Sequence, residues 1–85
     1  MQTPVAVSVI EVLGPGCARC FETERVVRRA VEGAGLECVV RKNTSVHRMV
    51  ELGVLRTPAL AFDGRVVHQG SIPKADELRR LLGLA

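Results

Sequence analysis

The sequence predicts an α/β domain of element order β-α-β-α-β-β-α, a four-stranded mixed sheet with helices on both faces. Three observations carry that expectation. Val5–Leu13 is a mostly apolar run with apolar residues on both sides of the pleat, as in a central strand covered on both faces. Gly14-Pro15-Gly16 breaks it, and an amphipathic helical pattern opens at Cys17. Asp63-Gly64, set between Ala59-Leu60-Ala61-Phe62 and Arg65-Val66-Val67-His68-Gln69, is a strong hairpin signal.

The elements follow in order. The first helix is expected from Cys17 to Ala34. Phe21, Val27, Ala30, Val31 and Ala34 form its apolar stripe, and Glu24/Arg28 and Arg28/Glu32 lie four apart on its wet face. Gly33 and Gly35 end it. Glu37 to Arg41 reads as the second strand, with Cys38 inside it. A helical crossover makes the first two strands parallel and the connection right-handed. Asn43-Thr44-Ser45 offers caps to a short helix, Val46 to Leu52, with Val46, Met49 and Val50 inward and Gly53 as its stop. After the hairpin, Gly70-Ser71 leads to a last helix with Pro73 near its first turn and Leu78, Leu81 and Leu82 on its buried face. Residues 1–85 are expected to form one domain.

Composition excludes several functions. Net charge is +3 with two Phe and no Trp or Tyr, a mild, dispersed charge without stacking platforms, so nucleic acid is not an expected partner. No apolar run reaches the ~18 residues of a membrane span. Met1-Gln2-Thr3-Pro4 lacks the basic patch of a secretory signal, and a cytoplasmic location is expected. Three cysteines do not suit a disulfide scaffold, which uses even numbers at wide spacings. A close Cys-x-x-Cys pair in a cytosolic chain points to redox or metal chemistry instead.

Cys17-Ala18-Arg19-Cys20 is therefore the chemical centre of the sequence. Two thiols on the first turn of a helix can reach each other and close a small disulfide ring. The free N–H groups there favour thiolate over thiol, and such cysteines can have pKa values anywhere between about 3.5 and 7.5. The pair suits disulfide exchange or a soft metal ion. Cys38, in an apolar segment, reads as a small hydrophobe, with a resolving or ligating role as the alternative. His47 and His68 read as polar-surface residues, and Arg25 as a solvated helix position.

With these motifs placed, the whole chain resembles the thioredoxin-like superfamily, and within it the smallest redox-active disulfide proteins. The resemblance rests on Gly16-Cys17-Ala18-Arg19-Cys20 after the first strand, Gly53-Val54-Leu55-Arg56-Thr57-Pro58-Ala59-Leu60 before the third, and Asp63-Gly64 at the hairpin. It implies that Pro58 is cis and faces the cysteine pair, and that the Thr57 backbone binds an extended substrate segment by strand-like hydrogen bonds. It also implies an apolar rim around Cys17, Pro58 and Gly70, a protein disulfide as substrate, and a flavin-dependent, thioredoxin-reductase-like electron donor. The chain departs from the family in having Gly16 where thioredoxins carry Trp, and Ala18-Arg19 where they carry Gly-Pro. The buried acid that assists the second cysteine in thioredoxins is not identifiable, Glu37 being the only acid on the second strand. A glutathione site is not expected, because Asp76 follows Gly70-Ser71 at a longer spacing than in glutaredoxins.

The expected activity is thiol–disulfide exchange, in the reductase direction, with no cofactor. Cys17, nearest the helix N-terminus, attacks; Cys20, one turn inward, resolves; Gly16, Arg19, Thr57, Pro58 and Gly70 form the substrate-binding surface, and Arg19 adds positive charge near Cys17. A monomer is expected, because helices cover both sheet faces. One alternative is a soft-metal protein using the same cysteine pair on Cu(I) or Zn. Against it, heavy-metal-associated domains have β-α-β-β-α-β order, and zinc needs two further ligands. A second alternative is a redox-regulated interaction module without turnover.

Overall fold

A computed structural model describes residues 7–84. It contains β1 (Val9–Leu13), α1 (Ala18–Gly33), β2 (Val39–Asn43), α2 (Val46–Leu52), β3 (Ala59–Phe62), β4 (Arg65–Gln69) and α3 (Ala75–Leu81). This is the expected β-α-β-α-β-β-α order, in one four-stranded sheet ordered β2-β1-β3-β4. β1 and β2 are parallel, with Val9 opposite Val39 and Leu13 opposite Asn43. β3 runs antiparallel to both β1 and β4.

The period of two along the strands sorts the core into two clusters. Ile10 and Val12 of β1 and Leu60 and Phe62 of β3 pack with Val27 and Val31 of α1 and with Leu78 and Leu82 at α3. On the other face Leu13, Ala59 and Ala61 meet Met49 of α2. The Thr57–Pro58 peptide bond is cis.

Several boundaries and faces differ from the sequence expectation. The Val5–Ala6 start of the first strand lies outside the described residues. β1 begins only at Val9, because the Asp63 carboxylate takes the Ser8 and Val9 N–H groups at 2.8–3.2 Å. Asp63, at φ 49°, thus both turns the hairpin and clamps the start of β1. The second strand is Val39–Asn43 rather than Glu37–Arg41: the parallel register with β1 starts at Val39, and Cys38 sits one residue ahead of it, half-buried against the larger cluster.

Phe21 was expected in the stripe of α1 but is 54% exposed. The inward positions are Cys20, Thr23, Val27 and Val31, a spacing that turns Phe21 outward, where Lys42 Nζ lies 3.1 Å from its ring centroid. Arg28 engages Glu24 at 2.9 Å and the Val40 carbonyl at 3.0 Å rather than Glu32, tying α1 to β2. In α2, Val46 and Val50 are 70% and 73% exposed, not inward. The helix turns Met49 and Arg48 toward the sheet instead, because Arg48 has a charged partner there. His68 is only partly exposed, in a polar setting within 3.1 Å of Ser71 and 3.8 Å of Glu77, joining β4 to α3. His47 is exposed.

Candidate redox site

The site forms where β1 stops. Gly14, buried, donates its N–H to the Asn43 carbonyl at 3.2 Å, which holds the chain at the end of the sheet. Gly16 follows at φ +87°, a conformation side chains rarely adopt, and reverses the chain into α1. Cys17 is the N-cap of α1, with extended backbone and no side-chain cap. Its carbonyl accepts from the Cys20 and Phe21 N–H groups at 3.0 and 3.2 Å. Cys20, one turn on, is fully buried, while Cys17 is exposed. Their Sγ atoms lie 3.1 Å apart, in hydrogen-bond contact.

This contact divides the two thiols chemically. The Cys20 thiol, and then the backbone N–H groups at the start of α1, stabilise the Cys17 thiolate and pull its pKa below the ordinary thiol range. Burial, reinforced by the Cys17 contact, pushes Cys20 up. Arg19 acts on Cys17 through its backbone N–H. Its guanidinium is exposed and pairs with no acid among the described residues. Cys38 is also pushed up, by burial and by Asp63, and belongs to the large cluster rather than to the cysteine pair.

The Thr57-Pro58 loop completes the site. A Cβ placed on Gly14 would lie 2.1 Å from Cys20 Sγ and 3.6 Å from Thr57 Cβ, so Gly14, Cys20 and Thr57 meet at one point. Pro58 is fully buried, and its carbonyl accepts the Gly70 N–H at 3.0 Å. No hydrogen bond within the described residues engages either backbone group of Thr57. The geometry thus brings Gly16, Thr57, Pro58 and Gly70 to the end of the sheet that carries Cys17 and Cys20.

Sequence reasoning passed over Glu11. It is the buried acid of the chain, on β1 and six residues before Cys17, whereas Glu37 is exposed and precedes β2. Arg48 Nη2 donates to its carboxylate at 2.7 Å and Arg48 Nε at 3.2 Å, and Asn43 Nδ2 does so at 3.3 Å. Arg48 also reaches Glu51. The Arg48 hydrogen bonds hold Glu11 below the usual carboxylate range. The available signal was an acid inside an otherwise apolar strand, Val9-Ile10-Glu11-Val12-Leu13, which needs a buried partner.

Among the described residues no group of three or more His, Cys, Asp or Glu is placed to hold a metal ion. The element order is also not the β-α-β-β-α-β of heavy-metal-associated domains. A minimal mixed sheet that sets an exposed and a buried thiol in contact at the head of α1, beside a Thr-Pro loop, defines a thioredoxin-like redox protein. Comparison with known sequences gives the same answer independently. The thioredoxin-domain family model matches residues 8–83. A thioredoxin of Methanocaldococcus jannaschii is 38% identical over 74 residues, covering 87% of this chain and 85% of its own length. A thioredoxin of Methanothermobacter thermautotrophicus is 30% identical over 73 residues, covering 86% and 95%. The chain belongs to the thioredoxin family and has a thioredoxin-like redox function.

Proposed function

We propose that the protein is a thiol–disulfide oxidoreductase that reduces protein disulfides, with Cys17 as nucleophile and Cys20 as resolving thiol. The observation that carries this reading is the 3.1 Å contact between one exposed and one buried sulfur of opposite pKa displacement. The Cys17 thiolate attacks one sulfur of the partner disulfide, and the other partner sulfur leaves as a thiolate. Cys20 then loses its proton and attacks Cys17 Sγ, expelling the second partner thiolate, which is protonated in turn. Two electrons pass to the partner together with two protons, one from Cys20 and one from solvent, and the protein is left with a Cys17–Cys20 disulfide. The unpartnered N–H and carbonyl of Thr57 suit strand-like pairing with the substrate backbone. Glu11, held ionised by Arg48 on the α2 face of the sheet, is not placed to take the Cys20 proton. The partner thiolate released in the first step is the stronger base and takes that role.

Regeneration is assigned to a flavin-dependent, thioredoxin-reductase-like donor, as the family membership suggests. A monomer fits the cover that α1, α3 and α2 give to both sheet faces, and the location assigned to it is the cytoplasm. No helix among the described residues is long and apolar enough to cross a membrane.

The test is trapping. Cys20→Ser, incubated with a protein disulfide, is expected to accumulate a mixed disulfide through Cys17 that thiol reductant releases. Cys17→Ser is expected to form none. Equal trapping by both variants, or by neither, refutes the assignment of roles.

A further inference from the structure

Residues 14–20, 55–58 and 69–70 meet at the end of the sheet that carries the Cys17–Cys20 pair. They carry two charged side chains, Arg19 and Arg56, and no Asp or Glu. Both arginines are exposed, and neither pairs with an acid among the described residues. Elsewhere Arg25, Arg28, Arg48 and Arg80 have acid partners, whereas Arg29 and Arg65 have none among the described residues.

The loop holding Arg56 is a built surface. Gln69 Oε1 accepts from both the Leu55 and Arg56 N–H groups, at 2.8 and 3.1 Å, and so fixes the backbone of the two residues before Thr57. Leu55, fixed in this way, is 86% exposed. Beside it the stem of Arg56 lies across Gly70: a Cβ at Gly70 would come within 3.2 Å of Arg56 Cδ. Gly70, at φ +91°, leaves the space that lets the arginine stem lie flat. A pinned, exposed leucine next to an exposed, unpaired guanidinium, with Arg19 two residues from Cys17, is a contact surface of defined chemistry: one apolar knob and a cationic rim.

We propose that this rim selects protein segments whose disulfide is flanked by acidic residues. Arg56 and Arg19 attract Asp or Glu beside the scissile disulfide, and Leu55 packs on apolar groups of the same segment. Basic segments are rejected by like charge beside the reacting sulfurs. The proposal rests on the disulfide-exchange reading above and adds the class of substrate to it.

The experiment is a single-turnover rate measurement with the pre-reduced protein. Four probes are used: three peptides with one internal disulfide, flanked by Asp, Ser or Lys, and the neutral 2-hydroxyethyl disulfide. The second-order rate constant is expected to fall from Asp to Ser to Lys, with Asp over Lys by about tenfold at low salt, the lower end of electrostatic steering. The preference is expected to collapse in 0.5 M salt, at a Debye length of roughly 4 Å. Arg56→Gln keeps the stem over Gly70 and removes the charge, and is expected to reduce the Asp-over-Lys ratio at least about threefold. Arg56→Lys is expected to keep most of the ratio. Arg29→Gln makes the same change in net charge at a position roughly 18 Å along α1 from Cys17 and is expected to leave the ratio as it was. Equal rates for all three peptides, with 2-hydroxyethyl disulfide still reduced, overturn the proposal and leave the oxidoreductase reading standing. An equal loss of preference in Arg29→Gln also overturns it. Failure to reduce any of the four probes overturns the reading on which it rests.

Discussion

Gly14→Ala is the sharpest perturbation of the way the fold holds the buried sulfur. Gly14 has no positive φ, so alanine fits its backbone, and the whole effect is steric. The added methyl would sit 2.1 Å from Cys20 Sγ. An ordinary contact is about 3.5 Å, so the sulfur or the Gly14 backbone must retreat by about 1.4 Å. Neither has room. Cys20 is fully buried, the Gly14 N–H is held by Asn43, and Thr57 Cβ lies 3.6 Å from the same methyl. Overpacking of this kind costs about 1–3 kcal/mol. A domain of this size loses roughly 4–8 °C of Tm per kcal/mol. The retreat also acts on the 3.1 Å contact between the sulfurs, so closure of the Cys17–Cys20 disulfide is expected to slow. Denaturant unfolding of the reduced protein and the rate of intramolecular disulfide formation read the two effects. Gly33→Ala is the internal control: nothing lies within 4 Å of its added methyl, and near the end of α1 it is expected to stabilise by about 0.5–1 kcal/mol. Unchanged stability and unchanged closure in Gly14→Ala refute the packing of Cys20 against Gly14.

Two further outcomes follow from the electrostatics. In alkylation of the reduced protein followed by intact mass, Cys17 is expected to react first, with a pH inflection below that of a free thiol at about 8.5. Cys20 and Cys38 are expected to react only at higher pH, so Cys38 labelling as early as Cys17 contradicts the assignment. Glu11→Gln breaks a buried ion pair while Arg48 keeps Glu51, so a loss of about 1–2 kcal/mol near pH 7, less than for a fully buried pair, is expected from denaturant unfolding. Because folding lowers the Glu11 pKa, its contribution is fully present above the unfolded carboxylate pKa of about 4.3 and is lost as pH falls through the folded value. The gap between wild type and variant is therefore expected to narrow below about pH 4, and a gap constant from pH 7 to pH 3 contradicts the Arg48 linkage.

The element order and the cysteine pair were legible because strong local signals mark them: the Gly-Pro-Gly break, the Asp-Gly turn and the Cys-x-x-Cys spacing. What was not legible depends on partners distant in sequence. The start of β1 is set by the Asp63 carboxylate, more than fifty residues away. The facing of α2 is set by the attraction of Arg48 to Glu11, which outweighs the apolar pattern of Val46 and Val50. Glu11 itself was visible as an acid in an apolar strand, but its meaning required Arg48 and Asn43. The exposed Phe21 shows the same limit: whether a helical position faces the sheet or a lysine on β2 is decided by how the helix sits on the sheet.

The central claim is that Cys17 and Cys20 form one reversible two-electron couple. The most direct measurement equilibrates the protein in thiol/disulfide buffers of stepped potential, quenches by alkylation and reads the redox state of each cysteine by intact mass and peptide mapping. The expected result is a single two-electron transition confined to Cys17 and Cys20, with Cys38 reduced throughout. A pair that stays dithiol across the whole range, or a transition that needs Cys38, contradicts the account.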